Sequence, residues 1–378
     1  MVRAKPPKGA QIIPWNSIAE GVVDYGETKK SFAEGMDSPC ATCTTSPCCT
    51  HLPLHTFRVT NMIELDHARY LLNFDRIELG LNASGDWGVY YVYPCRFLDR
   101  GDLSCTVHAT PEQPQICVQY NPYNCWYKRS LTRSVGDEFL QIDRPRFEYI
   151  LSQVQFDEFR NITSVPDWAA MVEAMRDVTA TPPPVMQEPP ASDPPFDSWR
   201  EAVRTGVEER DPPARLEYGA LADPCTGCAA SCCETLVFPQ ASLPTTISML
   251  DYFRFALGFP GVELGLADDS WALVVKTRCR HLEGTRCGIY GTAERPLICK
   301  YYDAWKCTYR INFGLPRPPG FLRLRFEQWE WLTECFRFDE FGHIVEFPGL
   351  ADIRGHIEAR WHSALAEPAA APEEPAAS

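Results

Sequence analysis

Residues 40–50 read "CATCTTSPCCT", with four cysteines, two of them adjacent. A disulfide framework, a metal site and a reactive thiol can each begin this way, so the rest of the chain has to decide. The stretch returns as "CTGCAASCCE" at 225–234, one residue shorter in the loop between its second and third cysteines. Cys40, Cys43, Cys48 and Cys49 thus pair with Cys225, Cys228, Cys232 and Cys233. From the adjacent pair to the next cysteine lie 45 residues in both copies, reaching Cys95 and Cys279. Cys105, Cys117 and Cys125 then match Cys287, Cys299 and Cys307 at one constant offset.

The likeness extends beyond sulfur. "LDHARYLLNFDRIELGL" (65–81) aligns with "LDYFRFALGFPGVELGL" (250–266), "CRFL" with "CRHL" and "PQIC" with "PLIC". Further on, "FLQIDRPRFEYILSQVQFDEF" (139–159) aligns without a gap to "FLRLRFEQWEWLTECFRFDEF" (321–341). The chain therefore reads as a tandem duplication. The expected organisation is a first cysteine cluster domain over 30–178, a Pro-rich linker and short helix over 179–214, a second cysteine cluster domain over 215–362, and a tail over 363–378. Prolines in "TATPPPVMQEPPASDPPFDSW" oppose both helix and central strand, and the tail has too little apolar bulk to offset its ordering entropy. Each repeat is expected to be small, cysteine-rich and α+β: cysteine loop, helix, strand, cysteine-bearing loops, second helix.

Within a repeat the first helix should start near Thr60 or Thr245, with Leu65, Ala68 and Leu72, or Leu250, Phe253 and Leu257, on one face. Trp87–Tyr93 and Trp271–Thr277 are rich in β-branched and aromatic residues, as strands are.

Length and charge narrow the function. At 378 residues and 45% hydrophobic composition, the chain can bury large cores without cross-links. A formal net charge of -14 disfavours nucleic acid and anionic membranes as partners. No run of apolar residues is long enough to span a bilayer, and prolines and lysines interrupt the first residues where a signal peptide would be apolar. A cytoplasmic location is expected. In a reducing compartment, 17 cysteines serve metal or redox chemistry more readily than structural disulfides.

Eight thiols per repeat fill two four-thiolate sites, or one four-ligand centre with four left over, and soft sulfur selects Zn2+ or an iron-sulfur cluster, including the four-iron, four-sulfur kind. Adjacent side chains diverge on a helix or strand, so Cys48 and Cys49 are expected to serve different centres, or one of them to stand outside the ligand set. Arg96 and Arg280, each following a candidate ligand, could offset the anionic charge of such a centre, as could Lys128 and Arg310. No histidine recurs opposite a histidine; His51 and His55 lie near the first cluster, and Cys335 is assigned to packing. Asp157 and Asp339 in the shared "FDEF" are expected in turns. Asp66, Asp251, Glu78 and Glu263 are expected to anchor helix and turn geometry.

CxxC, a short loop, CC and then a distant "RPLIC" resemble the YkgJ-type cysteine cluster proteins, a family described as zinc- or iron-chelating. The second repeat matches more fully, through "CTGCAASCC" and Tyr290, Arg295, Pro296 and Cys299. The first has His108 and Gln113 at the Tyr and Arg positions. The resemblance implies a metal centre. Some relatives are flagellin lysine methylases, so a protein-modifying enzyme is one alternative and a zinc-stabilised interaction module another. Substrate, protein partner and oligomeric state are not specified by these residues.

Overall fold

The computed structural model describes residues 43, 45–110, 112–120, 125–131, 138–177, 230–314 and 318–366. The Pro-rich linker, residues 367–378 of the tail, Cys40, Cys225 and Cys228 lie outside the described residues, while 363–366, expected in the tail, continue the last helix. The protein is α+β. Its first half runs through β1 (His51–Arg58), α1 (Met62–Leu71), β2 (Ile77–Asn82), β3 (Asp86–Val92), α2 (Gln115–Gln119), α3 (Trp126–Ser130), β4 (Phe139–Ile142), α4 (Arg144–Gln153), the ribbon of β5 (Gln155–Phe156) and β6 (Ile162–Ser164), and α5 (Trp168–Asp177). The second half runs through β7 (Thr235–Pro239), α6 (Ile247–Leu257), β8 (Val262–Leu266), β9 (Trp271–Lys276), β10 (Leu282–Glu283), β11 (Arg286–Cys287), α7 (Leu297–Tyr301), α8 (Thr308–Gly314), β12 (Leu322–Leu324), α9 (Trp329–Glu334), β13 (Arg337–Phe338), β14 (Ile344–Glu346) and α10 (Leu350–Ala366).

Each half builds an antiparallel four-stranded sheet of the same order, β1-β3-β2-β4 and β7-β9-β8-β12. The sequence reading placed one strand per half; the sheets hold four. In β1 a proline and two histidines break the alternation of Leu52 and Leu54, which hides a strand whose leucines are nonetheless buried. The central hairpins share a register, with Leu81 opposite Trp87 and Leu266 opposite Trp271. Backbone conformation repeats as well. Arg76, Ala109 and Arg160 have positive φ of 63°, 61° and 67°, and their sequence counterparts Gly261, Gly291 and Gly342 have 89°, 80° and 79°. The first half keeps left-handed turns that cost a non-glycine residue about 1 kcal/mol each.

Helices α1 and α6 bury their expected faces: Leu65, Ala68 and Leu72 are at most 9% exposed, and Leu250, Phe253 and Leu257 at most 3%. Their caps sit one residue later than the sequence suggested. The Asn61 side chain accepts from the Ile63 and Glu64 N–H groups, and Thr246 Oγ1 from the Met249 N–H. Thr60 instead donates its own N–H to Glu64 at 2.6 Å. Asp157 and Asp339 close turns by accepting N–H groups two and four residues on.

Most buried apolar residues described in both halves form one continuous cluster rather than one core each, with Tyr90, Leu131 and Phe139 in a small separate one. Two crossed contacts produce this: α1 packs on α7, and α2 packs on α6. Backbone bonds run across the same boundary, with Arg96 N–H to Gly258 O and Arg280 N–H to Asn73 O, both 2.8 Å. Tyr91 Oη donates to Pro260 O at 2.8 Å and Tyr252 Oη to Pro53 O at 3.1 Å. Among the described residues, no helix is long and apolar enough to cross a membrane.

A glycine at the middle of β8 lets the Phe321 ring lie flat on the sheet, where a Cβ at Gly265 would come within 2.5 Å of it. Gly265→Ala is expected to cost about 1–3 kcal/mol in urea unfolding, as overpacking does. Gly320→Ala, whose Cβ would meet nothing within 4 Å, is the control and should shift the midpoint little. Equal midpoints for the two variants would contradict this packing.

Candidate metal centre

Each cysteine pair sits on a one-turn helix entered through a left-handed residue. Ser46 (φ 36°) leads into Pro47–Cys49, and Ala230 (φ 57°) into Ser231–Cys233. The turns close through Cys49 N–H to Ser46 O at 2.9 Å and Cys233 N–H to Ala230 O at 2.7 Å. The next cysteine is tied directly to this turn: Cys95 N–H donates to Cys49 O, and Cys279 N–H to Cys233 O, both at 2.7 Å. Cys105 pairs with Leu98 in an isolated bridge, and Cys287 with the equivalent Leu282 in the β10–β11 ribbon. Cys117 and Cys299 occupy the third position of α2 and α7, their N–H groups bonded to Pro114 O and Pro296 O. Cys125 and Cys307 precede α3 and α8, beside the hydroxyls of Tyr120 and Tyr302 respectively.

These placements gather thiols from separate segments. In the first half Cys43, Cys48, Cys49, Cys95, Cys105 and Cys117 lie within electrostatic reach of one another. In the second half Cys232, Cys233, Cys279, Cys287 and Cys299 do the same. The Cys48 and Cys49 Sγ atoms are 4.0 Å apart, and both lie within electrostatic reach of Cys95 and Cys117. The divergence rule holds for regular helices and strands, not for a three-residue turn closed by a left-handed residue. Among the described residues every cysteine is a free thiol, so the disulfide alternative is not realised there. Among the same residues no three His, Cys, Asp or Glu side chains are drawn together tightly enough to hold a metal ion. The thiols are neighbours without yet forming a closed ligand cage.

Burial and mutual repulsion set their proton affinities. Burial first, then Cys48, Cys95 and Cys105, push the Cys117 thiol well up. Cys95 is raised to about 11, mainly by burial, and burial lifts Cys299 to about 12 despite the Arg295 guanidinium beside it. Two thiols move the other way. Burial raises Cys43, but hydrogen bonds from the Thr45 and Ser46 backbone outweigh it and bring it to about 7. Cys232 falls to about 7 because Cys233 donates to it, and Arg295 adds to the effect.

The flanking charges divide unequally. Arg96 reaches Glu327 at 2.9 Å and stacks on Phe326 at 4.2 Å, while remaining close enough to Cys95 to favour its thiolate. Arg280 faces Asp75, Arg144 and His281 rather than the thiols. The Lys128 side chain lies outside the described residues. Arg295 stacks on Tyr290 at 4.2 Å beside Cys232 and Cys299, whereas its counterpart Gln113 accepts the Ala109 N–H at 2.6 Å. His51 is buried, with Nδ1 at 2.9 Å from Thr50 Oγ1 and Nε2 at 3.4 Å from Gln141, so both nitrogens are engaged away from sulfur. His55 stacks against Phe57. Cys335 Sγ donates to Trp331 O at 3.6 Å and packs against the core.

Two sets of residues join the site without having been singled out for it. Tyr127 and Tyr309, equivalent in the two halves, lie against the thiols, and burial raises both hydroxyls well above their ordinary value. Asp66 and Asp251 hold the cysteine helices of the opposite half. The recurrence of Asp66 with Arg69, and of Asp251 with Arg254, was the available signal. Comparison with family models, with curated proteins and with solved structures returns no match to this chain. The reading of the site therefore rests on its own geometry.

In reduced, chelator-treated protein, Cys43 and Cys232 should be half-ionised near pH 7, since a lowered pKa populates the thiolate above that value. Their alkylation rates should rise about tenfold per unit up to pH 7 and then level off. Cys299 should stay slow across that range. Peptide mass spectrometry that found Cys232 and Cys233 equally reactive would contradict the assignment.

Proposed function

We propose that the chain is a duplicated metal-binding protein, each half holding an iron-sulfur cluster or Zn2+ through its cysteines. The candidate ligands are Cys40, Cys43, Cys48, Cys49, Cys95, Cys105, Cys117 and Cys125 in one half. In the other they are Cys225, Cys228, Cys232, Cys233, Cys279, Cys287, Cys299 and Cys307. The observation that carries the reading is that uncrosslinked, largely buried thiols from distant segments lie within electrostatic reach of one another in each half. Thiols so placed resist ionisation together, and a bound cation relieves that repulsion.

Several features support the finer parts of the proposal. Matching sheet order, hairpin register and left-handed turns support duplication. Free thiols are at home in a reducing, cytoplasmic setting. Iron-sulfur is favoured over zinc, because eight thiolates without a recurrent histidine exceed what one zinc requires. A purely structural zinc is disfavoured by the size of the shared core, which leaves little folding work for a metal to do. When bound, the centre would supply electron transfer or metal handling. The protein's own contribution is to keep the thiols reduced, sheltered and, in the second half, beside the Arg295 guanidinium.

Protein purified without oxygen is expected to carry metal in both halves, with a visible absorption band if the centre is iron-sulfur. Cys117→Ser should remove about half of the metal and leave the second-half signal intact, since one thiolate of the first set is lost. A chain free of metal by elemental analysis after anaerobic loading would overturn the proposal.

A further inference from the structure

We propose that each cysteine centre is completed by the opposite half, through a reciprocal pair of Asp–Arg clasps. Asp251 and Arg254 position the helix that carries Cys117; Asp66 and Arg69 position the helix that carries Cys299. The geometry rests on hydrogen bonds alone. Its consequence for metal loading rests on the reading of these cysteines as ligands.

The two clasps share the same carboxylate contacts. Asp251 Oδ1 accepts Arg254 Nε–H at 2.7 Å, and its Oδ2 accepts the Gln115 N–H at 2.6 Å. Asp66 Oδ1 accepts Arg69 Nε–H at 2.9 Å, and its Oδ2 accepts the Leu297 N–H at 2.5 Å. Each arginine then crosses the boundary. Arg254 donates to Glu112 O at 3.3 Å and Gln113 O at 3.1 Å, and Arg69 to Glu294 O at 3.0 Å. Glu112 and Glu294 are equivalent in the aligned halves, as are Gln115 and Leu297.

An intrahelical Asp–Arg pair three residues apart would stabilise an exposed helix slightly and require no second half. These carboxylates are not exposed: the side chains of Asp251 and Asp66 are 1% and 11% accessible. Both are directed at the first N–H of a short helix whose preceding residue, Pro114 or Pro296, has none. That N–H is two residues before the candidate ligand. Withdrawing the carboxylate leaves a sheltered donor unpaired and frees the turn that sets the thiol's direction. Asp251 also lies within electrostatic reach of Cys117 itself. The packing of α2 on α6, and of α7 on α1, runs along the same line.

An isolated half would thus present a cysteine helix without its anchor.

The test uses the full-length chain with Asp251→Ala and, separately, Asp66→Ala. In metal-free reduced protein, pulsed alkylation of the Cys117 and Cys299 peptides is followed by mass spectrometry; in metal-loaded protein, retention against a chelator is followed. Asp251→Ala should speed Cys117 alkylation about tenfold and leave Cys299 within about twofold, and Asp66→Ala should do the reverse, as loss of a hydrogen bond to an ionised group implies. Asp251→Asn keeps an oxygen for the Gln115 N–H and should restore most of the Cys117 protection. Metal loss should follow the same crosswise pattern. If both thiols respond alike to each variant, or neither responds, the clasp is overturned. Crosswise alkylation in a chain that takes up no metal upholds the clasp and overturns the ligand reading. Should Asp251→Ala not fold by circular dichroism, Asp66→Ala decides alone: Cys299 exposed and Cys117 protected supports the clasp, and any other outcome sinks it.

Discussion

Crowded thiols impose the constraint on which the rest of this fold depends. A lone buried cysteine is an ordinary apolar residue, but several placed within reach of one another resist losing their protons, and each ionisation makes the next harder. In both halves the backbone enforces that crowding. The bond from the Cys95 N–H to Cys49 O, and its twin from the Cys279 N–H to Cys233 O, bring the end of a sheet strand against the cysteine turn. The short proline-initiated helices bring Cys117 and Cys299 within electrostatic reach of the same thiols. Burial pushes Cys117 and Cys299 up, while backbone and thiol donors pull Cys43 and Cys232 down, so each half contains both a ready thiolate and a reserve of protonated sulfur. A cation with affinity for sulfur would exchange those protons for its own charge.

Joining the halves solves a problem that neither can solve alone. A helix of five residues is too short to hold itself in water, and its first N–H groups have no intrahelical partner. The partner here is a carboxylate on the longest early helix of the other half, itself held by an arginine one turn on. Because the relation is reciprocal, the duplicated chain satisfies two such helices with two copies of one device, as a symmetric dimer would. The continuous core then follows from geometry: helices that exchange anchors must bury their apolar faces against one another.

The alignment of the chain with itself made the cysteines, the helices α1 and α6 and the strands β3 and β9 legible, because the 3.6-residue stripe of Leu65, Ala68 and Leu72 and the β-branched runs are local signals. The strand β1 was hidden because Pro53, His51 and His55 interrupt its alternation, and the sheet edges β4 and β12 because they lie inside segments that read as helical. The crossing of the halves was not legible at all. Asp66 and Asp251 look like ordinary helix residues in sequence, and nothing local tells that their acceptors serve a backbone more than a hundred residues away. The close approach of the Cys48 and Cys49 sulfurs was hidden for a related reason: it depends on Ser46 adopting a left-handed conformation that serine seldom takes.

The two halves do not carry identical cysteine sites. At the turn before the second-half cysteine helix, Gly291 takes its left-handed conformation without strain, and Arg295 is free to lie on Tyr290 beside Cys232 and Cys299. In the first half Ala109 holds the same conformation, its N–H accepted by the Gln113 side chain that stands where the second half has Arg295. A positive charge beside thiolates favours their ionised form and partly neutralises an anionic centre, whereas an amide committed to the backbone does neither. Arg96 in the first half compensates only in part, because its guanidinium is shared with Glu327. The two cysteine sites therefore differ in electrostatic environment although their backbones follow the same plan.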